Sequence, residues 1–284
     1  MKGIIVASIA AILLTGCSSG NVSDRDSSIV SDNARTDINS GARVTMEEKS
    51  IEPVQANVLS TEKHGYGQGV ITDDMNRPTG ALDFNAQYGE YNACAINEDS
   101  KGILLTFDQG YENGLTAQIL DTLKEKKVKA VFFVLQDYAE RNPELVQRMI
   151  DEGHIVGNHS VSHYSMPELS AKECAEEING LQKYMQEKFN YKMTLFRPPM
   201  GEFSEQSLSV TNDCGCKTVL WSYAYADWDT DNQPAEAESE KKLIEAAHEG
   251  AIYLLHSVSQ TNADILGNVI DGIRANGFEF VSEL

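Results

Sequence analysis

The sequence predicts an α/β protein, a distorted or incomplete (β/α) barrel of about seven parallel strands. From Lys101 onward, short apolar runs alternate with stretches whose apolar residues recur at helical spacing. Most of these runs are four to eight residues long and several are β-branched, as expected of parallel strands buried on both faces. A doubly wound open sheet is the competing architecture, because it shows the same alternation of strands and helices.

The predicted strands are Ile103–Phe107, Val128–Leu135, His154–Gly157, Met193–Phe196, Thr218–Tyr223, Ala251–Leu255 and Phe278–Val281. Helices are predicted between them. Asn142 before Pro143 marks one helix start, because a cap residue is followed by proline at the first helical position. Ser170 with Glu173 forms a capping-box pattern ahead of a helix that extends to about Phe189. The other predicted helices are Leu115–Lys126, Lys241–His248 and Ala263–Ala275.

The N-terminus has the pattern of an export signal. Lys2 supplies a positive charge, and the apolar stretch Gly3–Leu14 is too short to span a bilayer. It ends in LTGC, which resembles the lipobox of bacterial lipoproteins, whose cysteine is lipidated. We therefore expect residues 1–17 to be a lipoprotein signal peptide. The protein would be exported and lipid-anchored through Cys17 to the outer face of the cytoplasmic membrane. An ordinary secretory signal with a chance cysteine is the alternative, and it also implies export.

Three further segments follow this signal. Residues 18–64 are rich in Ser, Asp, Asn, Glu and Thr without an apolar period, which predicts a flexible tether. Residues 65–100 contain several glycines and scattered aromatic residues, which suggests an N-terminal extension packed on the domain. Residues 101–284 carry the strand–helix alternation and form the predicted main domain.

The composition excludes one class of partner. The net charge is −20 at pH 7, so nucleic-acid phosphates would be repelled. No glycine-rich phosphate loop precedes a helix. Four cysteines follow Cys17 in the sequence. An exported compartment permits disulfides between them, but free thiols are equally consistent with the sequence. The cysteines concerned are Cys94, Cys174, Cys214 and Cys216.

Five polar clusters follow apolar runs, and in a barrel they would converge at the carboxyl end of the strands, where active sites are built. These clusters are Thr106–Gly110, Asn158–His163, Arg197–Gly201, Asp227–Asp229 and His256–Ser257.

Single residues within these clusters leave alternatives open. His159 and His163 are four apart and would share a face of a helical turn, where both can bind one metal ion; two surface histidines are the simpler interpretation. Asp108 is either a turn cap or a catalytic carboxylate, and Arg197 before two prolines can orient it. His256 alone would more often be a core residue.

Together the clusters carry a family resemblance. In order and spacing, TFDQGYENG, NHSVSH, RPPMGEFS, DWDTD and LLHS resemble the five motifs of polysaccharide deacetylases, the NodB-type domain of carbohydrate esterase family 4. The resemblance covers about residues 101–284. Within the family the sequence is most similar to the δ-lactam-biosynthetic, muramic-acid de-N-acetylase branch. The features concerned are Phe107–Gly114, Ala226–Trp228 with Gln233 and Pro234, and His256–Ser259 with Asn262.

The resemblance implies catalytic and metal-binding roles. Asp108 would be the general base and His256 the general acid, with Arg197 positioning Asp108. His159 and His163 would bind a divalent metal ion that polarises the acetyl carbonyl, and zinc is the metal that the resemblance implies.

The remaining implied roles concern the substrate. The Met200 backbone N–H would stabilise the oxyanion. Tyr111, Asp227 and Trp228 are assigned, with Met200, to substrate binding.

Two positions depart from the family pattern. Gln109 replaces the usual aspartate ligand, so it is a weak or absent metal ligand. Ala224 stands where many relatives place an aspartate that tunes the acid histidine, so the partner of His256 is unidentified from sequence.

The resemblance implies hydrolytic de-N-acetylation of peptidoglycan glycan strands, on N-acetylmuramic acid residues in the route to muramic δ-lactam. One alternative is deacetylation of N-acetylglucosamine in peptidoglycan or another glycan. The other is a non-catalytic glycan-binding lipoprotein. Gln109 favours this last alternative, whereas the presence of Asp108, His159, His163, Arg197 and His256 together argues against it.

Overall fold

The computed structural model describes residues 59–284, which contain ten strands and eight α-helices. The strands are β1 His64–Gly65, β2 Ala93–Cys94, β3 Leu104–Gln109, β4 Ala130–Val134, β5 Ile155–Asn158, β6 Leu195–Phe196, β7 Glu202–Phe203, β8 Lys217–Val219, β9 Tyr223–Ala224 and β10 Ile252–His256. The helices are α1 Thr79–Tyr88, α2 Thr116–Lys126, α3 Gln136–Arg141, α4 Pro143–Asp151, α5 Ala171–Phe189, α6 Glu205–Asp213, α7 Glu236–Glu245 and α8 Gln260–Ala275.

The predicted signal peptide with Cys17 and the tether up to residue 58 lie outside the described residues. None of the helices within residues 59–284 is long and apolar enough to cross a membrane. All four cysteines of this part of the chain are free thiols.

The main sheet is parallel throughout and has the strand order β2-β8-β6-β5-β4-β3-β10-β9. Three residues separate β8 from β9 in the chain, a reach of about 14 Å. In a flat sheet, the six strand spacings between them would measure about 29 Å. The sheet therefore curls strongly. Its outer strands β2 and β9 do not pair with each other, so the barrel is incomplete, as predicted, and an open doubly wound sheet is excluded.

Strand alternation divides the buried side chains into two layers. Leu105 and Phe107 point outward and pack with helix residues such as Leu120. Leu104, with the opposite parity, packs with Phe133 and other inward residues of neighbouring strands. Position 108 has the inward parity, so β3 delivers its carboxylate to the barrel interior.

Some elements differ from those predicted. The run Thr218–Tyr223 divides into β8 and β9, because the chain crosses the gap of the barrel there. Phe278–Val281 contributes only an isolated bridge between Phe280 and Ile103. Helix α7 begins at Glu236, five residues before the predicted start at Lys241, directly after the Pro234–Ala235 pair.

Three helices and three strands were not predicted, namely α1, α3, α6, β1, β2 and β7. Helices α1 and α3 carry no side-chain N-cap to reveal their starts, and β1, β2 and β7 have only two residues each. Helix α6 does carry such a signal, since Ser204 and Ser207 form a reciprocal capping box. That signal is local to the sequence and could have predicted a helix in this segment, but no helix was predicted there.

Residues of the predicted extension are built into the fold, and so is His64, which the predicted flexible tether had wrongly included. β1 pairs antiparallel with β7, and β2 joins the main sheet beside β8. Phe84 of α1 lies 5.3 Å from both Tyr66 and Phe203, ring centroid to ring centroid and edge to face. Edge-to-face pairs of this kind stabilise beyond the area they bury.

Candidate active site

Asp108 ends β3 beside a completely buried arginine. Arg197 Nη1 donates to Asp108 Oδ1 at 2.9 Å and to Thr106 Oγ1 at 2.7 Å. Its Nε and Nη2 donate to the carbonyl oxygens of Val219 and Leu220, each at 3.0 Å. The guanidinium is therefore held by two strands and a loop in one orientation. Burial alone would raise the pKa of Asp108, but Arg197, with two nearby histidines, holds it below its usual range.

His159 and His163 meet, but not through the helical turn we predicted. Ser160 and His163 both have left-handed backbone, with φ of 77° and 57°. The Ser160 N–H donates to Asn158 Oδ1 at 2.8 Å, and the His163 N–H donates to Ser160 Oγ at 3.0 Å. These bonds fold the segment after β5 into a tight loop. The ring centroids of the two histidines lie 5.0 Å apart.

The tautomer of His159 is fixed by its surroundings. Nδ1 lies 2.8 Å from the Arg197 carbonyl oxygen, which only accepts, so Nδ1 carries the proton and Nε2 presents a lone pair. Burial lowers the pKa of His159 to about 4, so the ring is neutral at neutral pH. Nε2 faces Asp108 Oδ2 at 3.6 Å. Two acceptors so placed repel each other unless a cation or a donor lies between them.

This chemistry fits a divalent metal at His159 and His163, with Asp108 beside it. Burial also lowers the pKa of His163, which favours the neutral, ligating form. Within residues 59–284 no three His, Cys, Asp or Glu side chains are grouped to hold a metal ion. The two histidines would therefore hold the ion, and water or substrate oxygen would supply its remaining ligands.

Gln109 is not positioned as a ligand in this structure. Its amide nitrogen donates to Ser257 Oγ, and its buried amide oxygen has no hydrogen-bond partner within the described part of the chain. Successive side chains of a strand point to opposite faces, so Gln109 points away from the interior that Asp108 enters.

His256 ends β10 directly opposite Asp108 in the strand register. Asp227 Oδ1 lies 2.7 Å from His256 Nδ1, and Asp227 Oδ2 accepts from the His256 backbone N–H at 2.8 Å. Burial alone would lower the pKa of His256, but the hydrogen bond to Asp227 outweighs it and raises the pKa. Asn262 Nδ2 donates to Asp227 Oδ2 at 2.5 Å, and Tyr225 donates to Asn262 Oδ1.

The structure thus corrects one predicted role. Asp227 is completely buried and both of its oxygens are engaged, so it supports His256 and cannot contact substrate. It also identifies the partner of His256 that Ala224 left open. The spacing of Asp227 and His256 in the chain gave no signal of this contact, because it depends on a loop returning over β10.

Met200 lies in a tight turn after β6. Its backbone is left-handed, with φ of 60°, and two prolines precede it. Within residues 59–284 the Met200 N–H has no hydrogen-bond acceptor. An unpaired amide at the rim of a cavity is suited to stabilise an oxyanion.

Two adjoining cavities of about 510 and 430 Å³ meet over these groups. Both are lined by Asp108, His159, His163, Trp228 and His256. The larger of the two extends to Met200, Gly201, Trp221, Ala224, Tyr225 and Leu254, and the smaller to Gly110, Tyr111, Leu135 and Val258.

Trp228 and Tyr111 are half exposed at the mouths of these cavities. The Trp228 ring centroid lies 6.0 Å from that of His256. A still larger cavity, about 670 Å³, lies near Lys217 and Leu284 at the opposite end of the strands. It contains none of the predicted site residues, so the cleft above the strand ends is the candidate active site.

Comparison with known proteins gives a consistent family. The sequence profile of the polysaccharide deacetylases matches residues 95–219. PdaA of Bacillus subtilis, a peptidoglycan-N-acetylmuramic acid deacetylase, is 39% identical over 212 residues, which are 72% of this chain and 79% of PdaA. The solved structure of PdaA, a family 4 carbohydrate esterase, is similar with a TM-score of 0.73 and 36% identity, over 78% of this chain and 95% of that one.

Two further relatives correspond to the two alternative functions, N-acetylglucosamine deacetylation and a protein without catalysis. PgdA of Listeria monocytogenes, a peptidoglycan-N-acetylglucosamine deacetylase, is 37% identical over 183 residues, which are 64% of this chain and 38% of PgdA. A pseudoenzyme of family 4 from Bacillus anthracis has a TM-score of 0.62 and 25% identity, over 66% of each chain. Sequence, fold and cleft agree that this chain belongs to the polysaccharide deacetylases of carbohydrate esterase family 4, hydrolases of carbon–nitrogen bonds other than peptide bonds.

Proposed function

We propose that this protein hydrolyses N-acetyl groups of peptidoglycan, on N-acetylmuramic acid residues whose peptide has been removed, in the route to muramic δ-lactam. One observation carries the proposal. Asp108 and His256 lie opposite each other on neighbouring strands, face one cavity, and have pKa values shifted in opposite directions. Amide hydrolysis needs such a pair, an ionised base for the water and a protonated acid for the amine.

The base side follows from the hydrogen bonds of Asp108. Arg197 engages Oδ1, so Oδ2 is the oxygen available to a water in the cavity. Asp108 accepts the proton of this water as the water oxygen attacks the acetyl carbonyl carbon. Arg197 keeps the carboxylate ionised and fixed in direction throughout.

The developing charge is stabilised by the turn that carries Met200. The Met200 N–H donates to the carbonyl oxygen as it becomes negative. A divalent metal bound by His159 and His163 would add Lewis-acid polarisation of the same carbonyl.

The acid side completes the reaction. Asp227 occupies His256 Nδ1, which leaves Nε2 as the nitrogen that serves the cavity. The imidazolium gives its Nε2 proton to the amine nitrogen as the carbon–nitrogen bond breaks. The products are acetate and the free amino sugar, whose amine can condense with the lactyl carboxyl group of muramic acid, releasing water and forming the lactam.

Similarity to PdaA supports muramic acid as the sugar. Deacetylation of N-acetylglucosamine is the second candidate, favoured by the similarity to PgdA. A non-catalytic glycan-binding protein is the third, since the family includes a pseudoenzyme and Gln109 is not positioned as a ligand.

Acetate release distinguishes these functions. We would incubate the full-length protein with amidase-treated, peptide-free glycan strands and with N-acetylglucosamine oligomers, each with added zinc or with a chelator. The proposed function requires faster release from the peptide-free strands, and loss of release with the chelator would establish the metal. Faster release from the oligomers would establish the second candidate. Glycan binding without any release would establish the third.

We also propose that the protein acts outside the cytoplasmic membrane, anchored by a lipid on Cys17. The LTGC sequence after an apolar stretch supports this location. Cys17→Ser should abolish incorporation of labelled palmitate and move the protein from the membrane fraction to the soluble exported fraction. Palmitate incorporation that persists in Cys17→Ser would refute the anchor.

A further inference from the structure

We propose that Gln68, outside the strand–helix repeat, is a positioning residue that sets the acyl-chain selectivity of the active site. The inference rests on the proposed deacetylase function, because the acyl group removed there is the group selected. Gln68 lines neither cavity of the cleft, so it acts through other residues. Those residues are Trp221 and Ala224, which both line the larger of the two cavities.

Gln68 bridges Trp221 and Ala224 with its one amide group, and these two residues are called the wall of the larger cavity. The Trp221 indole Nε1 donates to Gln68 Oε1 at 2.9 Å, and Gln68 Nε2 donates to the Ala224 carbonyl oxygen at 3.1 Å. Both hydrogen-bonding ends of the amide are satisfied by this one wall. The bridge therefore fixes the angle of the indole and its separation from the strand β9.

Tyr66, two residues earlier, reinforces the same wall. Its ring meets the Trp221 ring edge to face at a centroid distance of 5.2 Å, and its hydroxyl donates to the Trp221 carbonyl oxygen at 2.6 Å. Its backbone N–H donates to the Gly201 carbonyl oxygen at 2.9 Å. Segment 64–68 thus joins the indole wall to the turn that carries the Met200 amide.

Gly201 shows how closely the indole approaches this turn. A Cβ at Gly201 would lie 2.7 Å from Trp221 Cη2, so only glycine admits the ring there. The indole is therefore held at its nitrogen by Gln68, on its edge by Tyr66 and at its far end by Gly201. A wall held at three points cannot recede to admit a longer chain.

The chemistry of the cavity makes this wall the limit for the acyl group. Met200, Trp221, Ala224 and Leu254 line the same cavity, so a substrate whose carbonyl oxygen accepts from the Met200 N–H would place its acyl methyl group against the three apolar side chains. One extra methylene changes selectivity by about 10- to 200-fold when an apolar pocket is rigid. Loss of the Gln68 bridge removes the hydrogen bond that fixes the indole nitrogen, which should let the ring shift enough to accept the longer chain.

The test compares acetate and propionate release from peptide-free glycan strands that have been chemically de-N-acetylated and then re-acylated. The full-length wild-type protein should prefer the acetylated strands about tenfold or more in kcat/KM. Gln68→Ala should reduce this preference to below about threefold, because one methylene is no longer discriminated. Tyr66→Phe, which loses only the bond to the Trp221 carbonyl, should reduce it in the same direction by less.

Asn85→Ala is the matched control. Asn85 belongs to the same N-terminal part and, like Gln68, uses both ends of its amide: Oδ1 accepts from the Ala95 N–H, Nδ2 donates to the Ile96 carbonyl oxygen, and the residue lines neither cavity of the cleft. This variant should keep the wild-type preference. If Gln68→Ala and Tyr66→Phe are active and keep the wild-type preference, the selectivity role of Gln68 is refuted. The proposed deacetylase function would then still stand. Release of neither acid by the wild type would refute the proposed function and this inference with it.

Discussion

The cleft contains two ion pairs that have similar distances but opposite catalytic roles. In one, Arg197 Nη1 lies 2.9 Å from Asp108 Oδ1; in the other, Asp227 Oδ1 lies 2.7 Å from His256 Nδ1. In the first pair the cation is completely buried and the carboxylate reaches the cavity. In the second the carboxylate is completely buried and the imidazole reaches the cavity. In each pair the completely buried residue positions its partner and shifts the partner's pKa, and the residue that reaches the cavity takes part in the reaction.

The difference teaches how one barrel end supplies both an acid and a base. Arg197 lowers the pKa of Asp108 and so keeps it a base, whereas Asp227 raises the pKa of His256 and so keeps it an acid. Environments that push two pKa values apart assign the catalytic roles. Four substitutions test this comparison.

The largest expected effect is on the base itself. Asp108→Asn should lower kcat/KM for acetate release by about 10²- to 10⁴-fold, because the amide cannot accept the proton of water. The kcat/KM of acetate release from peptide-free glycan strands provides the measurement. Asp137→Asn, in the exposed pair with Arg141, is the control and should release acetate like the wild type. Near-normal release by Asp108→Asn would assign the base to another group.

Removing the buried support of the base should affect stability. Arg197→Met leaves Asp108 buried without its cation and should lower the free energy of unfolding at pH 7 by about 3–5 kcal/mol. Arg141→Met, from the exposed pair, should leave the free energy of unfolding close to that of the wild type, because solvent screens an exposed ion pair. Urea unfolding of both variants provides the measurement.

The pH dependence of that loss has a defined sign. Arg197 lowers the folded-state pKa of Asp108, so its stabilisation is present above the unfolded value of about 3.9 and disappears as the pH falls through the folded pKa. The difference between wild type and Arg197→Met should therefore shrink when unfolding is repeated below about pH 4. An equal difference at both pH values would argue against an ionised Asp108.

The support of the acid should show in the pH–rate profile. His256 must be protonated, and Asp227 raises its pKa, so Asp227→Asn should move the alkaline limb of kcat/KM to lower pH. Each unit of that shift lowers the rate on the alkaline side about tenfold. Asp229→Asn, on the same loop but exposed, should leave the limb in place. An unmoved limb in Asp227→Asn would remove His256 as the acid.

The smallest expected effect lies outside both pairs. Trp228 is 58% exposed at the cavity mouth, so Trp228→Ala should raise KM about fivefold, the equivalent of about 1 kcal/mol, with little change in kcat. Its free energy of unfolding should stay within about 0.5 kcal/mol of wild type. Met75→Ala, similarly exposed on the N-terminal part, is the control for KM. A fall in kcat instead would place Trp228 in the chemical step.

Much of this molecule was accessible from sequence for a physical reason. Buried parallel strands must be apolar, and their carboxyl ends must meet, so runs such as Ile103–Phe107 and the polar residues behind them predicted the barrel and the residues of its cleft. Capping chemistry is equally local, which is why Ser170 with Glu173 predicted the start of α5. The same logic reached Asp108, Arg197, His159, His163 and His256 as members of one site.

What local sequence lacks is the identity of distant partners. The sequence by itself determined the strand–helix order and which polar groups end the strands, because period and burial are properties of the chain. The tertiary structure decided that Asp227 is buried under His256, that Gln109 points away from the interior, and that Gln68 holds Trp221. Each of these depends on contacts between residues that are 29 to 153 positions apart or on the direction of a single side chain at a strand end. Such contacts form only when the curled sheet brings its two ends and the N-terminal segment together.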